Sequence, residues 1–144
     1  NEELNFAVKS GAFDSVQTSF NICEQNNLYT VFPTCINKRL GVIAKRSIAN
    51  APWLYKNQPY GQYVEEYWKR FVKMDFVFTD EWFENAIRFT AFTEGVNSAI
   101  VGTTNIEHLK ANIKYVEKGK LPDIEYFNII ESFKIHNENW LGQI

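Results

Sequence analysis

Residues 98–116 read SAIVGTTNIEHLKANIKYV, and this stretch decides the fold. A short apolar run, Ala99-Ile100-Val101, meets Gly102 and two threonines, and an amphipathic segment follows at once. Ile106, Leu109, Ile113 and Val116 recur at spacings of three and four, which places them on one face of a helix. Thr104 with Glu107 three residues on fits a capping box, in which hydroxyl and carboxylate each take a free amide. Strand, glycine turn and capped helix together point unpaired N–H groups along a helix dipole, an arrangement that suits a phosphate. The plainer alternative is the ordinary turn of any strand-to-helix connection.

Working outward, 144 residues suffice for one domain with a real core. Hydrophobic residues at 45% and aromatics at 16% exclude disorder. With a net charge of −2 and no basic run, nucleic acid and anionic membrane are poor partners. No apolar stretch reaches the roughly 18 residues of a membrane span. Cys23 and Cys35 form no CxxC or Cys/His spacing, and we read them as buried free thiols in a reducing cytoplasm. The first residue is Asn1 rather than methionine, so further chain is expected upstream.

Before that stretch, residues 4–8 read as a helix end closed by Ser10-Gly11, and residues 16–20 as a short strand. Leu28, Phe32, Ile36 and Leu40 share a four-residue spacing. Because Pro33 belongs in a first turn, this helix starts near Phe32, with the preceding residues as loop, and stops at Gly41. Residues 42–44, Val-Ile-Ala, are a second strand, and residues 49–61 a long loop with two prolines. A helix over residues 62–72 precedes one opened by Thr79-Asp80-Glu81, with Thr79 as the capping hydroxyl, Phe83, Ile87 and Ala91 inward, and Gly95 as its stop. A last helix runs from about Asp123 to His136, buried through Phe127, Ile130 and Phe133 or a neighbouring face. Apolar strands alternating with helices predict an α/β fold with a parallel sheet. Three strands leave two open edges, so part of a larger fold is expected.

The ordered motifs resemble a known family. VIAKRSIAN at residues 42–50, SAIVGTTNIEHLKANI at 98–113, WLGQI at 140–144, and VQTSFN at 16–21 with Glu24-Gln25 behind it look like the C-terminal half of a bacterial aldo-keto reductase. The resemblance implies that residues 1–144 are one partial domain. It would be the C-terminal part of a TIM (β/α)8 barrel, with about three parallel strands corresponding to barrel strands 6–8. Barrels of this kind put their chemistry at the C-terminal ends of the strands, often with a phosphate site near strands seven and eight.

The same resemblance implies NADP(H) as cofactor, with NAD as an alternative, and a carbonyl or alcohol oxidoreductase as parent activity. Position by position, Gln17 matches the amide that holds the nicotinamide carboxamide, unless it is a satisfied core glutamine. Arg46 stands where an aromatic ring stacks on the nicotinamide; it is otherwise a strand-end cation. Ser47 and Ile48 line the pyrophosphate, and Gly102, Thr103 and Thr104 form the adenosine-phosphate turn. His108 takes the place of a 2′-phosphate arginine, or is a surface histidine, and Asn112 bonds the adenine edge. Lys45 is expected to point the other way and carries no role. The family's Asp, Tyr, Lys and His set comes from early strands, and none of these residues matches it. The chain is therefore expected to bind a dinucleotide without reducing carbonyls, and to self-associate or pair with the missing N-terminal half through apolar residues such as Ile43 and Ile100. A non-catalytic nucleotide- or partner-binding module is the other reading.

Overall fold

The computed structural model describes residues 2–143; Ile144, in the WLGQI motif, and Asn1 lie outside the described residues. Chain order gives α1 (Glu2–Ser10), β1 (Ser15–Ser19), α2 (Asn27–Thr30), α3 (Phe32–Lys38), β2 (Gly41–Lys45), a 3-10 turn (Pro52–Leu54), α4 (Glu65–Lys73), α5 (Glu81–Phe92), β3 (Ser98–Ala99), α6 (Ile106–Glu117) and α7 (Asp123–His136). The three strands form one parallel sheet in the order β1-β2-β3, as the alternating pattern predicts. Gln17 pairs with Ile43, Ser19 with Lys45, and Ala44 with Ala99.

Strand alternation sorts the side chains into two faces. Val16, Thr18, Val42 and Ala44 are buried beneath the helices. Gln17 is exposed on the opposite face, and Ile43 and Lys45 are half-buried there. This open face of a parallel sheet is unusual, since parallel sheets are normally covered on both sides. The covered side holds the core, where Phe20 meets the Phe32 ring at 5.0 Å and the Phe89 ring at 5.6 Å. Trp53, Phe71 and Trp82 extend it beneath the long loop.

Several expectations need correction. The stretch before Phe32 is not all loop, because residues 27–30 make one helical turn. Ile36 is 48% exposed, and Cys35 takes the inward position beside Phe32. Arg39 closes α3 in the left-handed conformation, so Gly41 opens β2 rather than ending the helix. Thr79 does not cap α5; Asp80 holds that position, without a side-chain bond. On α7 Ile129 is buried, together with Ile130 and Phe133, while Phe127 is 56% exposed. An (i, i+3, i+4) stripe can rotate by one residue without changing its spacing, which accounts for the difference. The last strand covers Ser98–Ala99 instead of residues 99–101, although the Ile100 amide still donates to the Ala44 carbonyl at 2.8 Å.

On α6 the capping box is absent. Asn105 is the cap, its Oδ1 accepting from the Glu107 amide at 2.9 Å. Asx side chains reach this position with little reorganisation, and they rank with serine as caps. The predicted face of α6 exists, but it faces solvent: Ile106, Leu109, Ile113 and Val116 are all exposed. Cys23 and Cys35 are both free and buried, as read from their spacing. Among the described residues, no helix is long and apolar enough to cross a membrane.

Candidate functional site

The carboxyl end of β2 is built from unusual backbone. Arg46, Ala49, Asn50 and Ala51 all have φ between 49° and 58°, in the left-handed region that non-glycine residues seldom adopt. Such conformations cost about 1 kcal/mol or more each and persist where surrounding contacts dictate them. Here those contacts are visible. The Ser47 hydroxyl lies 3.2 Å from the Ala44 carbonyl and 3.1 Å from that of Ile100. Thr90 on α5 donates its hydroxyl to the Ser47 carbonyl at 2.9 Å. Ser47 is buried and ties the loop to β3 and α5, so its hydroxyl points into the scaffold.

This loop forms one wall of a cleft of about 480 Å³, whose other walls come from the turn after β3 and from α6. Ile48, Gly102, Thr103, His108 and Asn112 line it, and so does Asp80 at the start of α5. His108 and Asn112 share a side because they are four residues apart on one helix. A Cβ built on Gly102 meets nothing within 4 Å, so the turn is open above that residue. Thr103 is turned inward on its own loop, its hydroxyl accepting from the Asn105 amide at 3.1 Å. Thr104 is exposed and does not line the cleft.

Gln17 lies elsewhere, in a cleft of about 240 Å³ on the open face of the sheet, shared with Ser19, Glu24, Lys45 and Gln143. Lys45 therefore points with Gln17 and not away from it, a correction that follows from register. Ser19 pairs with Lys45 and Gln17 with Ile43, so both odd-numbered rows face the same side. Counting by twos from Gln17 across its partner is the signal that finds it.

Arg46 is already engaged. Its Nη1 donates to Ser19 Oγ at 2.8 Å and to the Gln143 carbonyl, and its Nη2 donates to the Tyr63 hydroxyl. The guanidinium also sits 5.0 Å from the Tyr63 ring centroid, a cation–π distance. Beneath lies a buried polar cluster that the sequence does not advertise. Tyr67 donates to Glu24 Oε2 at 2.5 Å, and Arg70 donates to the carbonyls of Cys23 at 3.3 Å and Leu141 at 2.7 Å. Burial, followed by the neighbouring Glu24 charge, raises the Tyr67 phenol above its ordinary value; burial raises the Cys23 thiol as well. Both groups are protonated at neutral pH, and Cys23 is no nucleophile. Among the described residues, no group of three or more His, Cys, Asp or Glu could hold a metal ion.

The predicted site residues thus separate into three places. Ile48, Gly102, Thr103, His108 and Asn112 come together, Gln17 lies in its own cleft, and Arg46 sits above Ser19 under residues 140–143. No family model matches the chain, and no curated protein matches it. Among solved structures it is similar to the aldo-keto reductase AKR11C1 from Bacillus halodurans, in its holo and apo forms, each at a TM-score of 0.72 and 19% identity. The match covers 90% of this chain and 46% or 47% of those chains. The likeness is one of fold, and the chain spans about half the length of those proteins.

Proposed function

We propose that residues 1–144 are the cofactor-binding rear portion, barrel strands 6–8, of an aldo-keto reductase-type barrel, and that they bind a nicotinamide dinucleotide. The observation that carries this is the cleft shared by Ile48, Gly102, Thr103, His108 and Asn112 at the amino end of α6. Free amides in that turn and the positive end of the helix suit the adenosine phosphate, with Thr104 at the rim. Asn112 offers amide hydrogen bonds to the adenine edge. In this reading the Gln17 amide, in its own cleft with Lys45, is the partner of the carboxamide. Ser47 holds the pyrophosphate wall in position through its buried hydroxyl. A guanidinium can lie flat against a ring face, a role open to Arg46 once it lets go of its present partners.

The bound dinucleotide would supply hydride. The chain's own residues bind and orient it, and no acid/base set is assigned among them, so we expect no carbonyl reduction by this chain alone. The resemblance implies NADP(H). Asp80 and His108 line the cleft and, among the described residues, no lysine or arginine does. A carboxylate more often serves a ribose 2′-hydroxyl than a 2′-phosphate. NAD(H) is therefore the alternative. Buried free thiols fit a reducing, cytoplasmic setting.

A second reading, a non-catalytic module that pairs with a partner or with the missing half of the barrel, is favoured by one observation. The α6 row is exposed, and so, at 45%, is Ile100 just after the edge strand β3. The deciding experiment titrates the purified chain with NADPH and NADH, followed by nucleotide fluorescence. Binding of either, at about millimolar strength, is the expected result. Absence of binding by both would remove the dinucleotide reading, and NADPH-dependent carbonyl turnover by the chain would overturn its lack of catalytic residues.

A further inference from the structure

Residues 140–143 cross the carboxyl ends of β1 and β2, and they are held almost wholly through their main chain. The Trp140 carbonyl accepts from Asn26 Nδ2 at 2.8 Å, and the Leu141 carbonyl from Arg70 Nη2 at 2.7 Å. The Gln143 amide lies 3.3 Å from both Glu24 carboxylate oxygens. Its carbonyl accepts from Arg46 and, at 3.4 Å, from the Ser19 hydroxyl. Glu24, Arg70 and Ser19 are 4%, 5% and 3% exposed. A buried polar seat therefore receives a segment whose own side chains contribute little beyond the Trp140 ring; Leu141 is 81% exposed.

The single ring that anchors the segment, Trp140, is half-buried, 5.5 Å from Phe133 and 5.3 Å from the Arg70 guanidinium. Asn139 just before it has a φ of 56°, a left-handed turn that asparagine adopts readily and that sets the segment off from α7. Gln143 walls the cleft that holds Gln17 and Lys45, and it also borders the cavity around Arg46 and Tyr63.

We propose that residues 140–143 are a strap that exchanges between this seat and an open position, and that release frees the Arg46 guanidinium and removes the Gln143 wall of the Gln17–Lys45 cleft, exposing Lys45 further. The Gln143 carbonyl then stands in for the acceptor that Arg46 takes when the strap is open: an oxygen of a carboxylate, phosphate or carboxamide. The device is a property of this chain's own contacts and holds whether or not a dinucleotide is the ligand.

Amide exchange followed by NMR, with acetylation of Lys45 followed by mass spectrometry, tests it on the whole chain. The Gln143 amide is expected to be protected in the wild type. Trp140→Ala and Glu24→Gln should each speed its exchange by about tenfold, as loss of an anchor or of a charge-assisted bond does. Lys45 acetylation should rise in step, while amides of β1 and β2 keep their wild-type rates. Where Trp140→Ala also speeds β1 and β2, Glu24→Gln is the variant that decides. Exchange of the wild-type Gln143 amide at the rate of an unstructured peptide would overturn the seat. Faster Gln143 exchange without faster Lys45 acetylation would overturn the gate.

Discussion

The Tyr67 hydroxyl donates to Glu24 Oε2 at 2.5 Å, joining α4 to the loop after β1 inside the molecule. Both residues are almost wholly buried, Tyr67 at 1% and Glu24 at 4% exposure. A buried carboxylate is tolerated only where donors surround it, and the phenol is its shortest. Tyr67→Phe keeps the ring and removes the donor. The expected cost is about 1.5–3 kcal/mol, the range for a hydrogen bond to a charged group, read as a lower urea midpoint with an unchanged slope. A loss below about 0.5 kcal/mol would mean that water or the Gln143 amide replaces the phenol at no cost.

Gly95 ends the turn between α5 and β3 with a φ of 95°, and a Cβ built there comes within 3.0 Å of Phe32 Cβ. Phe32 cannot give way easily, since it is buried and packed on Phe20. Gly95→Ala combines left-handed strain with overpacking and should cost about 2–4 kcal/mol. Gly61 makes the control: its φ is 68°, but a Cβ there meets nothing within 4 Å. Gly61→Ala should cost only about 1 kcal/mol. Thermal midpoints of the two variants measure the difference, and equal losses would assign the Gly95 cost to backbone alone.

The glycine at 95 marks the end of the α5 run only to within a turn, because the helix stops at Phe92 with an extended Thr93 as its C-cap. Strand β2 is legible because an apolar triplet sits between Gly41 and two cations. The limits of α7 are readable too, from Pro122 and the acids after it. Glu24 with Tyr67, Arg70 with Leu141, and Arg46 with Gln143 are not. Each joins residues more than 40 positions apart, or nearly 100 for Arg46, through polar atoms that carry no periodic signal. The α6 row has the opposite fault: its spacing identifies a face, but a pattern cannot say whether anything in the same chain covers that face.

Glu84 on α5 ties that helix to the end of α6. It takes Lys118 Nζ at 2.6 Å on one oxygen and Arg88 Nη1 at 2.6 Å on the other. The Lys118 bond foremost, with help from Arg88, holds its carboxyl below the ordinary 4.5. A lowered folded value means that the stabilisation is complete above about 4.5 and fades as pH falls through that lowered value. Glu84→Gln should therefore cost about 1 kcal/mol at pH 7, allowing for the partial solvent screening of this pair. Urea unfolding at acid pH should show wild type and variant converging. A gap that persists in acid would show that the carboxylate charge is not the source of the effect.

The α6 row gives the last expectation. Ile106 at 60%, Leu109 at 44% and Ile113 at 53% exposure form one apolar row on α6, and Ile100, 45% exposed, follows the edge strand β3 with its free backbone groups. Burying side chains of this size is worth about 1.5–3 kcal/mol each, so the row favours association wherever a second apolar surface is present. In the purified chain the available surface is another copy. Light scattering after size-exclusion chromatography should show mass rising with concentration. Leu109→Lys with Ile113→Glu should return the chain to a monomer with its melting temperature lowered only slightly, because about half of each side chain is exposed and little internal packing is lost. A wild-type chain that stays monomeric at every concentration would show that the row is solvated without penalty. A large loss of stability in the double variant would show that α6 packs inward more than its exposure indicates.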